Sequence, residues 1–265
     1  MMPHPLSEAE LAELQQARQL LENPGLAARI THLIGMPVEK GIALLPDGVR
    51  NQVGTLTRSA LLKATDAAIL TMKDAPGESA SNRWHKLGVA VSGGVGGFFG
   101  LAALAIELPL STTLMLRSIA DIARSQGESV SALDTRLACL EVFALGGRST
   151  ADDATESSYY AVRAALARSV AEASEYVVAK GLGDQGAPLL LRFIGTVAER
   201  FGVQVSEKLA AQAVPAIGAA GGALVNTLFI DHFQDMARGH FCVRRLERLH
   251  GKDVVARVYA ELPRT

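Results

Sequence analysis

Apolar residues recur at alternating three- and four-residue steps along most of the chain, the spacing of helix faces that pack on a core. Ser7 and Glu10 form a capping box, and Leu11, Leu14, Leu20 and Leu21 then share one face until Asn23-Pro24-Gly25 ends the helix. Shorter helical pieces follow, punctuated at Gly35, Pro37 and Pro46. From Gly48 to Lys73 the positions Val49, Val53, Leu56, Ala60, Ala64 and Ala67 predict a long helix, closed by the breaker-rich stretch 74–82, which reads as a flexible joint. An uncharged run beginning at Leu87 reaches Ile106, meets Glu107 and Pro109, and continues as a helix to Gln126-Gly127. Ser131 with Asp134 predicts the start of a shorter helix that runs to Gly146-Gly147. Beyond the polar loop 148–156, Tyr159, Val162, Leu166, Val170, Ala173 and Val177 mark one amphipathic helix. A helix over Pro188–Phe201, a helical stretch from Ser206 to His250 broken near Pro215, and a short helix capped by Asp253 complete the reading. It is all-α: a single bundle-like domain over 1–265, with 1–74 as its N-terminal portion.

Composition agrees. Hydrophobic residues make up 49% of the chain but aromatics only 5%, and the excess of alanine, glycine and leucine suits closely packed helices rather than sheets. Two segments stand apart. Gly88–Ile106 is nineteen residues without a charge and Leu209–Ile230 is twenty-two, both long enough to raise a membrane span. The first carries six glycines, and the second is interrupted by Gln212, Pro215 and Asn226, so each is marginal on an insertion scale. Gly93 with Gly97, Gly96 with Gly100, and Gly218 with Gly222 are GxxxG pairs that present flat strips for close helix approach. Three readings stand: a buried glycine-zipper core formed by the two segments at the centre of the fold, reversible insertion or an internal lipid groove, and a transmembrane hairpin.

Charge excludes one class of partner. A net charge of −1 lacks the cationic excess that phosphate neutralisation requires, so no nucleic acid is expected. Cys139 and Cys242 show no metal or redox spacing and read as reduced, buried thiols. The charged N-terminal helix lacks the apolar core of a signal peptide, which places the protein in the cytoplasm, free or peripheral on the cytoplasmic membrane.

Candidate chemistry falls in two clusters. Glu107 is the only charge between Lys86 and Arg117; standing before Pro109, it is expected near the positive end of a helix that starts there. Glu107, Ser111, Leu114, Ser118, Asp121 and Ser125 share a stripe, and Arg117 can pair with Asp121. The stripe is either a groove with a working carboxylate or a buried hydrogen-bonded seam. In the second cluster, Asp231, Asp235, Arg238 and Cys242 share a polar face, whereas Phe229, Phe233, Met236, His240 and Val243 form the apolar one. Candidate catalytic groups are Glu107, Asp121, His232 and His240; candidate binding residues are Arg117, Asp231, Gln234, Arg238, Arg244 and Arg245. With Arg248 and Lys252, the last arginines suit anionic lipid head groups, or else a solvated face balanced by Asp235, Glu247 and Asp253. No metal is expected, since HExxH is missing, and no nucleophile elbow or SxxK is present. Gly181-Leu-Gly-Asp-Gln-Gly186 matches a dinucleotide fingerprint, but a helix precedes it where the motif needs a strand, so no cofactor is assigned.

The run from Gly100 to Ala120, GLAALAIELPLSTTLMLRSIA, followed by Cys139-Leu-Glu-Val-Phe, resembles the EcsC family. So do Arg200-Phe-Gly-Val, Ser206-Glu-Lys, Ala213-Val-Pro, Gly221-Gly-Ala, Asn226 through Gln234, and Gly239-His-Phe before Arg244-Arg245. The resemblance covers roughly Leu87 to Tyr259. It implies a helical bacterial protein associated with membrane transport, the founding members being encoded beside an ABC transporter, and it implies no catalytic residues. The expected function is a non-catalytic interaction module at or near the cytoplasmic membrane, engaging lipid or a transporter-type membrane protein. The alternative is a hydrolase-type enzyme built on Glu107, Asp121, His232 and His240. Oligomeric state stays open.

Overall fold

Two long helices organise the fold, and the others are laid against them. The computed structural model describes residues 5–22, 25–43, 45, 47–71, 100–146, 158–180, 188–214 and 218–263; within helices, the side chains of 66–71, 100–103, 158, 176–180 and 218–220 are not described. Among the described residues there are ten α-helices and no strand: α1 (Glu8–Glu22), α2 (Leu26–Ile34), α3 (Val38–Ala43), α4 (Asp47–Thr71), α5 (Gly100–Ser125), α6 (Leu133–Glu141), α7 (Ser158–Lys180), α8 (Pro188–Gln212), α9 (Gly218–His250) and α10 (Lys252–Glu261). A 3-10 turn, Val142–Ala144, follows α6. Helix α8 packs against α2, α3, α4 and α7, helix α9 packs against α1, α2, α5 and α10, and the two meet each other and the 3-10 turn.

Local signals account for most boundaries. The Ser7 hydroxyl accepts from the Glu10 N–H at 3.3 Å while Glu10 Oε2 takes the Ser7 N–H at 2.8 Å, a reciprocal capping box that starts α1. Leu14, Ala17 and Leu21 of α1 are buried, as are Tyr159, Val162, Leu166 and Ala173 of α7. Gly35, at φ 69°, ends α2 by donating its N–H to Thr31 O. Proline opens α8 at Pro188, where its missing N–H costs nothing. Phe143 of the 3-10 turn, Phe201 of α8, and Phe229 and Phe233 of α9 interlock in the middle, with ring centroids 4.8 to 6.0 Å apart.

Several expectations need correction. Helix α5 does not begin at Pro109 but runs through it from Gly100, so Glu107 lies inside a helix and not near its positive end. The break is tolerated because Ala105, whose carbonyl the proline leaves without a partner, lies with Ile106 and Leu110 on the exposed face, where water can reach it. The hydroxyls of Ser111 and Thr112 donate to Leu108 O, and that of Thr113 to Pro109 O. Ser131 does not cap α6; the N-cap is Ala132, and the Ser131 hydroxyl meets that of Ser129 at 2.8 Å. Nor does Asp253 cap α10, which has Gly251 as N-cap and carries Asp253 in its first turn. The stretches Pro188–Phe201 and Ser206–Gln212 form one continuous helix, interrupted only after Gln212.

Close helix approach occurs at single glycines. A Cβ on Gly239 would lie 2.9 Å from Ala17 O and 2.6 Å from Leu21 Cγ, so the α1–α9 crossing requires glycine there. The crossing of α3 on α8 likewise brings Gly41 against Ala210 O. Gly222, by contrast, has no described atom within 4 Å of where its Cβ would stand, so the described residues do not show the expected glycine-zipper pairing. Its partner strip, Gly93 to Gly97, lies outside the described residues, as do the joint 74–82, the loop 148–156 and Gly181–Gly186. No helix among the described residues is long and apolar enough to cross a membrane.

Candidate functional site

The polar stripe of α5 faces inward. Glu107 and Lys208 of α8 form a buried ion pair at 2.8 Å, their side chains 8% and 3% exposed, and the ammonium sits 5.2 Å from the centre of the Phe229 ring. Three helices thus meet on one neutralised pair. Farther along, Gln234 donates to the buried Ser118 hydroxyl at 2.8 Å, and beyond the end of α5 Glu128 accepts from Arg244 at 3.0 Å. Positions 107, 118 and 128 therefore rise with 229, 234 and 244, so α5 and α9 run parallel and their N-terminal ends share one end of the molecule.

The parts of α5 and α9 at that end are uncharged: beyond the Glu107–Lys208 pair, residues 100–106 and 218–230 carry no charged residue. Ile106, Leu110 and Leu224 are 74%, 50% and 54% exposed. These are three of the large apolar side chains that face solvent, and two lie one turn apart on α5.

The other histidine and arginine candidates occupy different places. His232 is buried; its ring is hydrogen-bonded to the Leu145 backbone, and its Nε2 has no partner among the described residues. Gly146, at φ 68°, presses on the ring, where a Cβ would come within 2.5 Å of Cε1. Burial first, then the cationic Arg29, pushes the imidazole down to about 3, so it is neutral. His240 follows eight residues later, roughly 12 Å along the helix. Its Nδ1 lies 3.0 Å from the Tyr159 hydroxyl and its Nε2 3.8 Å from Glu141 Oε2. Burial, with Arg163 and Arg244, holds His240 well below the ordinary range, while burial lifts Glu141 to about 7. Arg163 clamps Glu247 at 2.7 and 3.0 Å and lies over Tyr159 and Tyr160.

The remaining candidates are engaged in ion pairs or the seam. Asp121 pairs with Arg124, and Arg238 binds Asp235 at 2.8 Å with Gln234 Oε1 3.5 Å away. Asp231 and Arg117 lie half-buried on α9 and α5. Arg244 binds Glu128 and Asp134, Arg248 binds Glu128, Arg245 binds Glu13, and His250 meets Glu10 at 2.8 Å. Of the acids expected from the sequence, Asp235 does pair with Arg238, but Arg244, Arg245, Arg248 and His250 take Glu10, Glu13, Glu128 and Asp134 from α1 and from the α5–α6 region, and Glu247 is held by Arg163 of α7. Spacing along one helix cannot reveal partners 110 to 240 residues away in sequence.

Chemically, the four catalytic candidates do not form one constellation. A groove of about 520 Å³ between α4 and α8 is lined by Arg50, Arg58, Glu199 and the glycines 54, 195 and 202, and contains none of them. Among the described residues no group of three or more His, Cys, Asp or Glu is placed to hold a metal ion. Cys139 is buried, and its thiol is raised by that burial, which makes it a poor nucleophile. Lys208, Tyr159, Glu141 and Arg163, the partners of these candidates, were not legible as such in the sequence; the available signal was Lys208 between Val205 and Ala211 on the face of α8 that carries Phe201.

The sequence model of the EcsC protein family matches residues 8–246, from the first helix to the last turns of α9. The chain belongs to the EcsC family. No curated protein and no solved structure matches it. In this EcsC protein the matched span contains the Glu107–Lys208 pair, both buried histidines and the apolar end, and leaves out α10.

Proposed function

We propose that this EcsC protein is a non-catalytic helical module that engages the cytoplasmic membrane through its apolar end. One observation carries the reading: Ile106 and Leu110, one turn apart on α5, and Leu224 of α9 are exposed on helix stretches whose one charge, Glu107, is neutralised by Lys208. Scattered apolar side chains on a soluble surface need no explanation, but here they share an uncharged end, which is the pattern of an interaction surface. The occupant is the hydrocarbon edge of a bilayer, with the apolar flank of a transporter-type membrane protein as the competing outcome. A hydrolase-type reading is less well supported, because an enzyme needs its acid, base and nucleophile around one open pocket. Here Glu107, Asp121, His232 and His240 each meet a different partner.

The test is flotation with protein-free lipid vesicles. Ile106→Glu and Leu224→Glu replace exposed side chains, so both variants should fold and lose vesicle binding. Variants that float as well as the parent would contradict the reading, and binding only to native membrane vesicles would assign the surface to a membrane protein.

A further inference from the structure

We propose that the groove between α4 and α8 binds a phosphate ester that carries an amine, with Arg58 holding the phosphoryl group and Glu199 the ammonium. The proposal goes beyond the membrane reading and stands without it.

Glycine shapes the groove. Arg50, Gly54 and Arg58 recur at four-residue steps on α4, and Gly195, Glu199 and Gly202 at four- and three-residue steps on α8, so each helix lines the groove with a stripe of charge and glycine. Inside a helix, glycine costs stability relative to alanine. At Gly41 and Gly239 it serves close packing, because a Cβ would strike the backbone of a neighbouring helix. At Gly54 and Gly195 it does not: a Cβ there meets no described atom of a neighbouring element within 4 Å. At Gly202 it would meet Thr57 Oγ1 at 3.9 Å, an ordinary contact. These glycines instead leave open a space of about 520 Å³, the size of a small-molecule site. Thr57 is fully buried, its hydroxyl has no hydrogen-bond partner among the described residues, and that hydroxyl is aimed at Gly202 on the groove floor. A buried hydroxyl without a partner is costly, and a ligand or the water it orders would supply one.

Charge selects the ligand. Arg50 is held by Asp47, one turn back on α4, whereas neither Arg58 nor Glu199 has an ion-pair partner among the described residues. A purely anionic ligand would meet Arg58 and be repelled by Glu199, and for a purely cationic one the reverse holds. A molecule with both charges satisfies both walls. The guanidinium fork matches phosphoryl oxygens bidentately, and Arg50, beyond the gap at Gly54, adds a second cation on the same wall. Ser206 lines the groove two residues before Lys208, so that end of it adjoins the buried ion pair that borders the uncharged ends of α5 and α9. The ester is therefore either a soluble metabolite or the ethanolamine head group of a phospholipid.

Isothermal titration calorimetry with glycerophosphoethanolamine, with glycerophosphoglycerol, the same diester without the amine, and with ethanolamine tests the assignment. Glycerophosphoethanolamine should bind, and the other two about tenfold more weakly or worse. Arg58→Gln should weaken glycerophosphoethanolamine by about tenfold or more. Glu199→Gln should weaken it too but strengthen glycerophosphoglycerol, a reversal that loss of fold cannot produce. Both replace exposed side chains, so both variants should fold. Gly195→Leu fills open space, and should keep or raise the melting temperature while abolishing binding. Absence of glycerophosphoethanolamine binding, or binding that none of these substitutions alters, overturns the proposal. Glycylglycine bound as tightly overturns it as well, since the groove would then take a carboxylate. Where excess glycerophosphoethanolamine displaces the protein from phosphatidylethanolamine vesicles, the ligand is the lipid head group. Where the ester binds but the protein stays on the vesicles, the ligand is a soluble ester. Ester binding by a protein that never floats with vesicles supports this site and overturns the membrane reading alone.

Discussion

The two ends of α9 are built by opposite rules. At the C-terminal end the helix is tied down by charge: Arg244 and Arg248 hold Glu128, Arg245 holds Glu13, Glu247 is clamped by Arg163, and Gly239 lets α1 approach to backbone contact. At the N-terminal end one buried ion pair separates a polar interior from an uncharged, partly exposed tip. Ion pairs need particular partners and so fix the register of α1, α5, α7 and α9. Apolar contact is indifferent to register, which leaves the tip free to meet a partner outside the fold. One end specifies the structure, and the other is the surface that the proposal assigns to a partner.

The largest expected effect breaks that boundary. Lys208→Met leaves the Glu107 carboxylate buried without its cation, a loss of about 3 to 5 kcal/mol in stability by denaturant unfolding. Adding Glu107→Gln to the same variant should recover most of it, because two neutral side chains can pack where one unpaired charge cannot. Equal losses in the single and double variants would show that the pair does not define the boundary.

Next in size is a contrast between glycines. Gly239→Ala forces a methyl against Leu21 and Ala17 and should cost about 1 to 3 kcal/mol. Gly222→Ala meets open space among the described residues and should gain up to about 1 kcal/mol from helix propensity. A destabilised Gly222→Ala would instead restore the glycine-zipper arrangement expected from the sequence. Smallest is Glu13→Gln, which removes a partly exposed partner of Arg245 and should change stability by less than about 1 kcal/mol.

How far the sequence could be read follows from the range of each signal. The capping box at Ser7, the buried face of α7 and the two faces of α9 depend on residues three or four apart, and all are legible in spacing alone. The inward stripe of α5 was legible for the same reason. Its partners were not, since Glu107 finds Lys208 and Ser118 finds Gln234 across more than a hundred residues. Pro109 misled because a proline that starts a helix and one that interrupts the exposed face of a longer helix look the same locally. The GxxxG pairs are a different case: among the described residues the glycines that admit close helix packing, Gly41 and Gly239, stand alone, Gly222 meets no described atom, and the first segment's pairs fall outside the described residues.

If the protein binds as proposed, the N-terminal tip of α9 meets the membrane and the C-terminal end does not. Leu224 and Leu249 are 54% and 63% exposed, and they are separated by roughly 37 Å of helix. They form a matched pair that differs chiefly in position. With Cys139 and Cys242 replaced by alanine, an environment-sensitive dye is attached at Leu224→Cys or Leu249→Cys, and vesicles carry a quencher within their acyl chains. Strong quenching is expected of the dye at 224 and little at 249. Equal quenching at both positions, or quenching confined to 249, would contradict it.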